Sequence, residues 1–132
     1  MDTLKHHRLD ESICFALSGI WQAVKSERNV KIEIGFAVSV AFAGFLFGIS
    51  QTEWLALIIM IFTVISAEVL NSAIEGVCNV VRDEDHLSYE KTRVARDMAA
   101  GAVLLLAMGS VVLGLVIFLP YLLGALSANL LI

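Results

Sequence analysis

Glu68, Asn71 and Glu75 lie three and four residues apart in the stretch EVLNSAIEGVCN, residues 68–79. On a helix that spacing gathers all three on one face. Ser72 lies beside them, and Asn79 and Arg82 continue the stripe. The stretch follows an apolar run from Trp54 to Ala67. Glu68 is fourteen residues past Trp54, or about 21 Å along a helix axis. That depth falls in the cytoplasmic half of a hydrocarbon core about 30 Å thick. Glu75 lies about 10 Å further on, near the interface. An ionisable group placed in lipid costs about 2.5 kcal/mol or more and marks a functional site by default. A plainer reading has Glu75 reaching to the interface and a protonated Glu68 satisfied by a neighbouring helix.

Carboxylates so spaced can hold a hard cation. Mg²⁺ takes one or two protein carboxylates and completes its shell with water and substrate phosphate. Glu27 and Glu33 flank the start of an earlier apolar run, and Arg93, Arg96 and Asp97 lead into a later one. A cation-holding pair beside guanidinium groups suits a phosphate-bearing ligand. The chain has neither a P-loop nor a Gly-rich kinase loop, so a nucleotide site here is unlike those folds.

The elements that position these residues are membrane helices. The chain has 132 residues, 58% of them hydrophobic, with one proline and a mean hydropathy of +0.83. This composition excludes an ordinary water-soluble domain and leaves little room for a second domain. Residues 30–49, 54–81 and 98–126 each exceed the length a spanning helix needs. The short link Ser50–Glu53 predicts a tight antiparallel hairpin. All nine Lys and Arg residues precede or begin the first span or lie between the second and third. The positive-inside rule therefore places the N-terminus and the 82–96 loop in the cytoplasm and the C-terminus outside. Trp54 and Tyr121 fall near the outer interface. Over about residues 10–27, Ile13, Leu17, Ile20 and Val24 recur at spacings of four, three and four. That pattern predicts an amphipathic helix lying in the interface. Cys14 and Cys78 suggest packing and no disulfide framework. Gly44 and Gly48 form a GxxxG, which serves equally as ordinary packing or as a dimer face.

EVLNSAIE, a short polar loop and then ARDMAAGAV together resemble the prokaryotic diacylglycerol kinase family, whose members include the Gram-positive-type undecaprenol kinases. GIWQAVKSERNVKIE resembles the family's passage from surface helix to first span. The resemblance covers roughly residues 8–118. It implies a homotrimer of three-span, all-α protomers with composite sites between subunits. It implies ATP-dependent phosphorylation of a membrane lipid alcohol in the bacterial plasma membrane, with no nucleic acid among the partners. Undecaprenol is the expected acceptor, and diacylglycerol the alternative. By resemblance Glu68 matches the general base and Asn71 an active-site asparagine. Glu27 and Glu75 match the carboxylates that hold Mg²⁺ bridged to ATP. Arg96 and Asp97 match a Lys-Asp pair that contacts the nucleotide, and Glu84, Asp85 and His86 match a loop triplet that contacts ATP. Arg8 matches a surface-helix arginine near nucleotide and lipid. Asn29, Val30, Lys31 and Glu33 match the border of the lipid headgroup, where Glu68 also reaches. The chain departs from the family pattern in three ways. Arg96 stands where lysine is usual, Asn79 stands where aspartate is common, and the loop between Glu75 and Asp97 is about three residues longer. A rival from another class is a small oligomeric transporter with Glu68 as its proton site.

The one-sided distribution of Lys and Arg gives the first testable expectation. A reporter fused at Ile132 should read as external and one at the N-terminus as cytoplasmic. A cytoplasmic signal from the Ile132 fusion would refute three spans.

Overall fold

The structure is a computed structural model and describes residues 9–84 and 89–130, with side chains described over 9–83 and 90–127. Four helices follow one another along the chain: α1 (Leu9–Ser26), α2 (Arg28–Phe47), α3 (Gln51–Glu84) and α4 (Tyr89–Leu130). The last three are long and apolar enough to cross a membrane. At 1.5 Å per residue, α3 and α4 run about 50 Å and 63 Å, well beyond the core of a bilayer. The expected spans 54–81 and 98–126 are thus the apolar parts of longer helices. Hydropathy marks where lipid begins, whereas the helix continues into the polar loop as long as its backbone bonds continue.

The first two helices meet at a single residue. Glu27 is extended (φ −88°, ψ 124°), and its N–H still bonds to the Ala23 carbonyl at 2.9 Å. The Lys31 ammonium donates to the Lys25 carbonyl at 2.7 Å, tying the start of α2 to the end of α1. Helix α1 packs on α2 and α3. Its Ile13, Leu17 and Ile20 are all exposed in the isolated chain. Cys14 is exposed as well, while Cys78 is buried.

The turn between α2 and α3 is tighter than the four-residue link expected. Gly48 ends α2 in the left-handed region (φ 63°, ψ 44°), where a residue without Cβ has no steric penalty. The Ile49 N–H then bonds back to the Gly44 carbonyl at 3.2 Å. The next turn begins with a capping box, Ser50-x-x-Glu53. Glu53 Oε2 accepts from both the Ser50 N–H and the Ser50 hydroxyl at 2.7 Å. The Glu53 N–H returns to Ser50 Oγ at 3.4 Å.

The same carboxylate holds the last helix. Tyr121 Oη donates to Glu53 Oε2 at 2.8 Å, across 68 residues of sequence. Around this bond Ile49, Leu57 and Ile117 form the buried core, with Phe47, Trp54 and Phe118 packed against it. Between apolar helices in lipid, association depends on close packing and interhelical hydrogen bonds. Both are concentrated at this end. Helix α4 passes through Pro120 without ending.

The two glycines of the GxxxG are used within the chain. A Cβ on Gly44 would lie 3.0 Å from the Trp54 ring and from Ile49 Cδ1, so Gly44 makes room for the aromatic side chain. Trp54 also packs against Phe45, ring centroids 4.8 Å apart. Gly48 is the helix cap. Gly48→Ala should therefore destabilise the protein by about 1–2 kcal/mol through backbone strain alone. Gly44→Val should cost at least as much by displacing Trp54. Thermal unfolding in detergent checks both. A pair of glycines needed only for self-association would leave the monomer's melting point unchanged.

Candidate active site

The polar face of α3 is enclosed at Glu68 and Asn71. Glu68 is only 3% exposed and Asn71 is buried, unusual values for such side chains in a chain this apolar. Asn71 Nδ2 donates to Glu75 Oε1 at 3.1 Å, the i to i+4 contact that the spacing permits. The Ser72 hydroxyl turns back to the Glu68 carbonyl at 3.0 Å and so does not occupy the Glu68 carboxyl. Glu33, on α2, lies within electrostatic reach of Glu68 on α3. The lipid-border residue and the expected base are thus brought together across α2 and α3.

Two buried acceptors in this region have no hydrogen-bond partner among the described residues: Glu33 Oε2 and Asn71 Oδ1. Buried oxygens are rarely left so. Both belong to residues whose neighbours are carboxylates, so the site is rich in acceptors and short of donors or cations. Glu33 also lines a groove of about 430 Å³ between α2, α3 and α4. The remaining wall is almost wholly apolar, with Phe36, Val40, Leu57, Ile61 and Phe118 among its side chains. Such a lining matches a hydrocarbon chain in chemistry.

The ends of α3 and α4 that flank the polar loop form a second zone. Arg96 Nη2 donates to Asn79 Oδ1 at 2.9 Å, joining the two helices. Its Nε reaches the hydroxyl of Thr92, a buried residue one turn earlier, at 3.5 Å. Asp97 is turned toward Arg93, 3.4 Å away on the same helix. Adjacent in sequence, Arg96 and Asp97 therefore point to different partners. The two departures from the family pattern, Arg96 and Asn79, bond directly to each other.

The other expected site residues are placed as follows. Glu27 is at the α1–α2 break and accepts from the Ser26 hydroxyl at 3.2 Å. Asn29 is exposed at the start of α2, Val30 is fully buried, and Lys31 is engaged with the Lys25 carbonyl. Arg8, Asp85 and His86 lie outside the described residues, as does the side chain of Glu84. Among the described residues no three His, Cys, Asp or Glu side chains meet to hold a metal. A cation carried in on phosphate needs only one or two protein carboxylates. Glu75, with the unpartnered Asn71 Oδ1 beside it, is an oxygen donor set of that kind.

Residues 14–118 match the description "prokaryotic diacylglycerol kinase". The chain belongs to that family. Two relatives extend the match. An undecaprenol kinase from Bacillus subtilis is 36% identical over 124 residues, covering 91% of this chain and 98% of that protein. A diacylglycerol kinase from Synechocystis is 32% identical over 113 residues, covering 86% of this chain and 63% of that longer protein. No solved structure gives a significant match. Membership in the family makes the protein a lipid kinase and replaces the transporter reading of Glu68.

Sequence reasoning did not find the Glu33–Glu68 approach or the Asn79–Arg96 bond. Each joins residues on different helices, and only the helix register reveals it. Thr92 was visible in principle, because it stands four residues before Arg96.

Asn71→Ala tests the intrahelical bond. It frees the Glu75 carboxylate and removes a buried amide, so stability should fall by about 1 kcal/mol. Activity should fall more than this small loss explains. Unfolding and turnover measured on the same preparation compare the two, and unchanged turnover would remove Asn71 from the site.

Proposed function

We propose that the protein transfers the γ-phosphoryl group of ATP to the hydroxyl of undecaprenol, giving undecaprenyl phosphate and ADP. The observation that carries this reading is the 36% identity with the Bacillus subtilis undecaprenol kinase, which covers nearly all of both chains. The groove beside Glu33 supports it, because an apolar channel ending at a carboxylate suits a long hydrocarbon with one hydroxyl. Diacylglycerol is the second reading, favoured by the family description and by the Synechocystis relative.

In this mechanism the lipid hydroxyl oxygen forms a bond to the γ-phosphorus. The bond from that phosphorus to the bridging oxygen of ADP breaks. The hydroxyl proton passes to the carboxylate of Glu68, the deepest acid on the face. Glu33 and the stretch Asn29 to Lys31 border the headgroup, with Val30 as its packed anchor. Asn71 fixes the Glu75 carboxylate through its amide N–H. Glu75 and Glu27 are the carboxylates proposed to hold Mg²⁺, which offsets charge on the transferring group and orients it. Arg96 holds phosphate oxygens, and Asp97 acts beside it on the nucleotide. Arg8, Glu84, Asp85 and His86 complete the proposed ATP contacts. The site is placed at the cytoplasmic face of a bacterial plasma membrane, where cytosolic ATP meets a lipid confined to the bilayer. A homotrimer with sites between subunits is part of the same proposal.

Depth separates the roles. Glu68→Gln removes the proton acceptor, so kcat for the lipid should fall by about 10² or more while ATP·Mg²⁺ binding persists. Glu75→Gln removes a charge that the cation needs, so nucleotide binding and turnover should both fall. Labelled ATP with undecaprenol and with diacylglycerol, run beside direct nucleotide binding, tests the acceptor and the roles together. Loss of nucleotide binding in Glu68→Gln but not in Glu75→Gln would reverse the assignment. Phosphorylation of diacylglycerol alone would replace the acceptor.

A further inference from the structure

We infer that Asn79 is a positioning residue for the nucleotide, acting through Arg96. This rests on the proposed phosphate role of Arg96. Asn79 lies on the same stripe of α3 as Glu68, Asn71 and Glu75. From Glu75 it is one turn further toward the cytoplasm, about 6 Å along the axis. Its amide oxygen accepts from Arg96 Nη2 at 2.9 Å, a contact between α3 and α4 that spans the polar loop. The Arg96 Nε is directed at Thr92 Oγ1. Two nitrogens of one planar fork are therefore each directed at an uncharged oxygen, one on each helix.

That arrangement has a chemical consequence. An arginine on an interface is a long side chain with many rotamers, and ordering it for a ligand costs conformational entropy. An acceptor already in place removes much of that cost before the ligand arrives. The choice of acceptor matters as well. A carboxylate at position 79 would hold the fork equally well but would compete with phosphate for the same positive charge. An amide oxygen fixes direction without adding a negative charge 2.9 Å from the guanidinium. The planar fork makes this possible, because holding one nitrogen from the side fixes the plane of the whole group. Asn79 is thus the residue on α3 that couples the carboxylate face to the cation on α4.

A double-mutant cycle tests this in the full-length protein, with ATP·Mg²⁺ varied at saturating undecaprenol. Asn79→Ala should raise the KM for ATP by about three- to tenfold, the range for one interhelical hydrogen bond at a partly exposed site. Its kcat and its KM for lipid should stay within about twofold of the parent, and its melting point should fall by no more than the few degrees that one hydrogen bond accounts for. On an Arg96→Ala background the same substitution should add nothing to the KM for ATP. Asn79→Asp keeps the acceptor but adds charge, so its KM should lie above the parent and rise less steeply with salt. An effect of Asn79→Ala that persists undiminished without Arg96, or that falls on lipid KM or melting point instead, would overturn the inference. So would no effect at all. If Arg96→Ala itself leaves the KM for ATP unchanged, the phosphate role of Arg96 falls, and that result is distinguishable from a failure of Asn79 alone.

Discussion

A carboxylate below the surface of a membrane has to be enclosed by protein. Glu68 meets this condition at 3% exposure, and Glu33 of α2 lies within electrostatic reach of it. The position of Glu68 depends on the register of α3. Glu68 lies eighteen residues from Ser50, about 27 Å along α3. A helix turns about 100° per residue, so one residue of slippage at the turn would point Glu68 into lipid. The register is set at the far end, by Gly48 in its left-handed cap and by the Ser50–Glu53 capping box. The precision needed at one interface is therefore supplied at the other.

The third spanning helix is held to this hairpin by the same carboxylate that caps it. Tyr121 bonds to the Glu53 oxygen that also accepts from Ser50. In water such a bond would add little to stability, because the partners would lose equally good bonds to solvent. Near lipid the apolar faces have no strong preference for one another, and a directed bond decides which faces meet. The clasp on the Tyr121 side and the Asn79–Arg96 bond on the other pin α3 to α4 at two levels. Between these levels an apolar groove runs among α2, α3 and α4.

The three spans, the polar face of α3 and the arginines of α4 were all legible in the sequence, because hydropathy and helical period report which residues share a face. The helix ends were less so. Ser50-x-x-Glu53 is a capping signal directly before an apolar run, yet hydropathy alone presents those residues as a link. The glycines of α2 illustrate the opposite difficulty. Their spacing fits ordinary packing and a partner helix equally, and within the chain they serve its own Trp54 and its own turn. A four-residue period cannot distinguish the two uses. Contacts between helices were the least legible. Asn79 and Arg96 are seventeen residues apart across a polar loop, and Glu33 and Glu68 belong to different spans. Pairing them requires the register of the folded hairpins, which no local pattern contains. The expected contacts at Arg8, Asp85 and His86 lie outside the described residues.

Helix rise orders the candidate groups along one line. Arg96 and Asn79 stand highest, Glu75 about 6 Å below, and Glu68 about 10 Å below that. A charged nucleotide cannot follow this line to its end, because the walls become apolar beside Glu33. A lipid alcohol cannot start at the top, because its chain must stay among those walls. On the proposed reading the two substrates therefore approach from opposite ends of one helical face. The level at which they can meet lies between Glu75 and Glu68. Asn71, whose amide holds the one carboxylate and whose oxygen is unpartnered, is the polar side chain at that level.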